Sequence, residues 1–99
     1  MKIGGFDWDA GNWPKCARHG VTREALETAF AGEIVFFDDP FDASVEARYR
    51  AIADDGSGRK LFVVFCFRVR DGAMLVRPIS ARYMHAEEVE DYDRRNQET

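Results

Sequence analysis

Leu61 to Phe67 is an unbroken run of seven apolar residues that stops at Arg68, and no other segment limits the possible folds as sharply. A membrane helix needs roughly 20 such residues, so the run is far too short to span a bilayer. Its β-branched and aromatic side chains suit a strand buried on both faces. Asp71-Gly72 then supplies a two-residue hairpin turn, because both residues tolerate the positive φ that such a turn requires. With those two as the loop, Arg70 faces Ala73, Arg68 faces Leu75 and Cys66 faces Arg77. Arg68, Arg70 and Arg77 therefore share one face. Leu61, Val63, Phe65, Phe67 and Val69 share the other with Met74, Val76 and Pro78, and the helices are expected to pack there. The same register puts Arg82 on the packed side. Pro78, which has no amide proton for the ladder, signals an edge strand or a bulge that would re-aim the residues after it.

The remaining elements follow from local signals. Lys2 to Trp8 reads as a first short strand with Ile3, Phe6 and Trp8 as its apolar members. Asp9 or Asn12 caps a short helix that tolerates Pro14 in its first turn and closes at Gly20. Thr22 caps a second helix ending at Gly32, with Val21 placed to staple onto Leu26 and a stripe of Ala25, Leu26, Ala29 and Phe30. Ile34 to Phe37 is a strand closed by Asp38-Asp39-Pro40. Val45 to Asp54 alternates apolar and polar residues as a half-buried strand does. A last helix runs from Ala86 to Gln97, with Glu87 and Glu88 at its start and Arg94 and Arg95 at its end, as the helix dipole favours. Residues 1–99 thus form one α+β domain in the order β-α-α-β-β-β-β-α: a compact antiparallel sheet with helices packed on one face.

Bulk properties suit a small soluble domain. Hydrophobic residues make up 45% of the chain and charged residues 32%, and eight Phe give the core aromatic bulk. The start of the chain has no apolar targeting region, so the cytoplasm is the expected location, with Cys16 and Cys66 reduced. The net charge of −4 argues mildly against nucleic acid. Its distribution argues the other way, because residues 57–82 hold six basic side chains against one acidic one.

Asp7-Trp8-Asp9, Gly11-Asn12, Lys15, His19-Gly20-Val21, Glu46-x-Arg48-Tyr49 and Ile79-Ser80-Ala81-Arg82 with Tyr83-Met84-His85 together resemble the BrnT toxins. The resemblance spans nearly the whole chain, and Ile-Ser-Ala-Arg is its most specific part. It implies a RelE-like fold and a metal-independent endoribonuclease that cleaves RNA and inhibits translation. It also implies neutralisation by a cognate DNA-binding antitoxin of the BrnA type, with operator DNA reached only through that antitoxin, and no cofactor. Where family members commonly carry a His-Ser pair before Glu-x-Arg, this chain has Asp42 and Ala43.

Metal-free cleavage of this kind uses the ribose 2′-hydroxyl as nucleophile, so the protein must take a proton, give a proton and hold extra negative charge. Arg82 and Arg48 suit the charge, since a planar fork grips phosphate through two hydrogen bonds. Their plain reading is an ion pair with Glu46 or a surface charge. His85 and His19 exchange protons near neutral pH, but each also stands at a helix end where it could serve only the backbone. Glu46 is a base or a salt-bridge partner. Tyr83 is a stacking surface or a core aromatic. Lys15, Arg50, Arg68, Arg70 and Arg77 are candidate RNA contacts on a basic sheet face, or simply its solvated charges. Cys16, His19, Cys66 and His85 could form a zinc set only if the fold gathered them. A non-catalytic binding module acting through a partner, for example in a transcriptional repressor complex, is the alternative function.

Overall fold

The computed structural model describes residues 4–15, 19–32, 34–38 and 47–97, with the side chains of all of these except 36–38, 96 and 97. The elements are β1 (Gly5–Phe6), α1 (Arg23–Ala31), β2 (Ile34–Asp38), β3 (Tyr49–Asp54), β4 (Lys60–Arg70), β5 (Ala73–Tyr83) and α2 (Ala86–Gln97). The five strands form one sheet in the order β1-β5-β4-β3-β2. The α+β class and the single domain hold, but the sheet is mixed, because β1 runs parallel to β5.

The β4–β5 hairpin is the frame. Asp71 and Gly72 take φ of 52° and 79°, the two positive values that match the twist of the flanking strands. Arg70 pairs with Ala73, Arg68 with Leu75 and Cys66 with Arg77, as the turn residues predict. Leu61, Val63 and Phe65 bury one face against α1, where Val21, Leu26, Ala29 and Phe30 complete the core with Ala51, Ala53, Val76 and Ala81. The Phe65 ring meets Phe30 edge-on at 5.3 Å. The Thr22 hydroxyl accepts the Ala25 amide at 3.1 Å and starts α1, a cap worth about 1 kcal/mol.

Two expectations about the helices need correction. Ala10–Pro14, where the first helix is expected to begin, is a turn, with the Asn12 side chain bonded to the carbonyls of Asp7 and Pro78; residues 16–18 of that expected helix lie outside the described residues. Nor do the helices share a face. Glu88 of α2 binds Arg82 on the face opposite α1, and Tyr92 shares a cavity there with Val35 and Ile52. Among the described residues of the expected strand from Lys2 to Trp8, Gly5–Phe6 is strand, and Lys2, Ile3, Asp39, Pro40, Val45 and Glu46 lie outside the described residues. Among the described residues no helix is long and apolar enough to cross a membrane.

Candidate functional site

A bulge decides where the chemistry-bearing residues of β5 point. Phe65 pairs with Pro78 but Val64 pairs with Ser80, so Ile79 is the extra residue. Every side chain after it changes face. Arg82 pairs with Phe62 rather than Leu61 and leaves the packed side where the uninterrupted register would place it. It joins Arg68 and Arg77 on the open face, with its guanidinium 5.0 Å from the Phe62 ring centre.

The segment after β1 braces that bulge. Asn12 is buried, and its amide donates to the carbonyls of Asp7 at 3.0 Å and Pro78 at 2.9 Å, while its side-chain oxygen accepts the Asp9 amide. Asp7 and Asp9 carry the arginines. Arg77 forms two 3.0 Å hydrogen bonds to Asp9 and one of 3.3 Å to Asp7, and Arg70 reaches Asp7 at 3.2 Å. The Arg77 guanidinium and the Gly11 amide hold Asp9 below the usual carboxylate range, and Asp9 in turn raises the pKa of Arg77.

Two clefts border the far half of β5. The first, of about 290 Å³, is lined by Gly11, Asn12, Lys15, Arg48, Cys66, Arg68, Arg77, Ile79 and Ser80. Four of those residues are cationic, and one of the four, Arg77, is paired with Asp7 and Asp9. The second, of about 430 Å³, is lined by His19, Arg59, Arg82, Tyr83, Met84 and His85. It joins two imidazoles from distant parts of the chain to two guanidiniums and a phenol. Arg48 and Arg82 thus line different clefts. Arg50 shares their face, opposite Val64, and lines neither. Glu46, Asp42 and Ala43 lie outside the described residues. The zinc set is divided, with Cys66 on the first cleft, His19 and His85 on the second, and Cys16 outside the described residues.

In the second cleft Arg82 and Tyr83 already have hydrogen-bond partners. Arg82 grips Glu88 through both terminal nitrogens, at 2.8 and 2.9 Å, and Glu88 also accepts the His85 amide at 2.9 Å. Glu88 thereby caps α2 and ties the helix to the sheet. Tyr83 donates its hydroxyl to Asp55 at 2.8 Å, and the Arg59 guanidinium lies 3.7 Å above its ring. Burial, then the bond to Asp55, pushes the Tyr83 phenol up, so it stays a donor instead of a proton carrier. Sequence reasoning missed Arg59, which lines the cleft, and Glu88, which holds its Arg82. Glu88 had a signal, since it stands three residues beyond the helix cap at His85. Arg59 had none beyond its charge.

These ties make stability fall in acid. Arg82 first, then the His85 amide, lowers Glu88 from its usual 4.5 to about 2; the Ser57 hydroxyl is the main cause of a similar drop in Asp55 from 3.8 to about 2. A depressed carboxylate favours the folded state above its unfolded pKa, and that contribution disappears as pH falls through the folded value. Urea midpoints should therefore decline between about pH 5 and pH 2, and Glu88→Gln should make the decline shallower. Equal slopes for both proteins would contradict the Arg82–Glu88 tie.

Comparison with curated proteins finds no match. The family described as "Ribonuclease toxin, BrnT, of type II toxin-antitoxin system" matches residues 8–88, a span that contains every residue lining the two clefts. With most of its length covered by that match, the chain belongs to the BrnT ribonuclease toxins.

Proposed function

We propose that this protein is a metal-independent endoribonuclease of RelE-like type whose chemistry takes place in the cleft shared by His19 and His85. The observation that carries the reading is the convergence of two imidazoles with two guanidiniums and a phenol in one cavity. Cleavage needs one group to take the proton of the ribose 2′-hydroxyl as its oxygen bonds to phosphorus. A second must protonate the 5′-oxygen as the old P–O bond breaks. A neutral and a protonated imidazole perform those two tasks near neutral pH without Glu46. The product is a 2′,3′-cyclic phosphate and a free 5′-hydroxyl. Guanidinium charge in the cleft offsets the additional negative charge of the transition state. Lys15, Arg48 and Arg68 hold neighbouring backbone phosphates in the first cleft, which fixes the chain without reading its sequence. Loss of RNA inhibits translation, and a BrnA-type DNA-binding antitoxin neutralises the protein and carries it to operator DNA.

Expression in bacteria tests the reading. The wild type should arrest growth with loss of RNA, co-expressed antitoxin should prevent both, and the double variant His19→Ala/His85→Ala should grow. Absence of arrest and RNA loss in the wild type would sink the ribonuclease reading and leave the partner-dependent module.

A further inference from the structure

We propose that Arg59 is the guanidinium that contacts the scissile phosphate, and that Arg82 is a positioning residue acting through Glu88. The inference rests on the ribonuclease reading above and assigns the cation within its cleft. Arg82 has the sequence motif in its favour, yet both of its terminal nitrogens are occupied by Glu88 at 2.8 and 2.9 Å. That two-pronged contact is the one a phosphate would need. Displacing Glu88 would also break its bond to the His85 amide and undo the start of α2, disturbing the imidazole beside it.

Arg59 is exposed in the same cleft and has no ion-pair partner among the described residues. It is also held in place. Asp55 accepts the Ser57 amide at 2.8 Å, the Ser57 hydroxyl at 2.6 Å and the Tyr83 hydroxyl at 2.8 Å. The Asp55 amide closes the loop onto the Arg59 carbonyl at 3.0 Å. The Tyr83 ring therefore forms a fixed platform, with the Arg59 guanidinium 3.7 Å above it. A guanidinium has five N–H donors, so one seated over a ring face keeps donors free for a ligand. A phosphate entering beside His19 and His85 meets a preset donor edge whose placement needs no partner to leave.

The test compares wild type, Arg59→Ala, Arg59→Lys and Glu88→Gln on a single-stranded RNA oligonucleotide, with melting temperatures measured alongside. Arg59→Ala should lower kcat about 100-fold without lowering the melting temperature, and Arg59→Lys should recover part of the loss. Glu88→Gln should lower kcat and leave KM nearly unchanged, with its pH profile altered because His85 is no longer anchored. Arg59→Ala within about threefold of wild type would overturn the assignment of Arg59. Glu88→Gln as fast as wild type or faster would overturn the positioning role of Arg82. If the wild type itself cleaves nothing, the ribonuclease reading fails, and binding of a 2′-O-methyl oligonucleotide decides the contact. About tenfold weaker binding by Arg59→Ala supports it, and equal binding overturns it.

Discussion

Replacing His85 with alanine should lower kcat on single-stranded RNA by about 100- to 10,000-fold and remove one limb of a bell-shaped pH–rate profile, and His19→Ala should remove the other. A group that transfers a proton only in the transition state contributes to kcat far more than to binding, so KM should change little in either variant. Both side chains are exposed, so neither substitution removes core packing, and the variants should unfold at urea concentrations close to that of the wild type. The double variant should lose little more than the worse single one, because residues that act as a unit are not additive. Two unchanged pH limbs in the single variants would move the proton chemistry out of this cleft.

Arg77→Ala should destabilise the fold by roughly 3 kcal/mol. The Arg77 side chain is 14% exposed and that of Asp7 9%, so the pair is shielded well enough that removing one partner leaves a poorly solvated charge. The effect belongs at the lower end of what such losses cost, because Arg70 still reaches Asp7 at 3.2 Å. Asp9 would lose both its 3.0 Å hydrogen bonds and return toward an ordinary carboxylate, and the turn around Asn12 would loosen from the bulge. A chemical denaturation curve with an unchanged slope and a lower midpoint would record this as a loss of stability and not of two-state behaviour. A shift below about 0.5 kcal/mol would reduce Arg77 to a surface charge.

What could be read from the sequence is what depends on local spacing. The Asp71-Gly72 turn sets the hairpin register as far as Phe65 and Pro78, and α1 and α2 begin where their caps place them. The face of Arg82 depends on where the bulge falls. Pro78 announced a disturbance, but the extra residue is Ile79, and that position reflects Asn12 reaching across the fold to the Pro78 carbonyl. Long-range polar ties of that kind leave no periodicity in the chain. The same holds for the basic residues. Spacing placed Arg68, Arg70 and Arg77 on one face, but not that Asp7 and Asp9 would take up Arg70 and Arg77 there. Nor could it reveal that Glu88 would engage Arg82 while Arg59 enters the same cleft from a loop.

Product chemistry tests the central claim most directly. A single-stranded RNA oligonucleotide, incubated with the purified protein in excess EDTA, should be cleaved to fragments ending in a 2′,3′-cyclic phosphate. A single 2′-deoxy substitution at the cleaved nucleotide should abolish the cut, because the attacking hydroxyl is gone. Loss of activity in EDTA, products bearing a 5′-phosphate, or cleavage of the deoxy-substituted strand would each contradict a two-imidazole transfer through the 2′-hydroxyl.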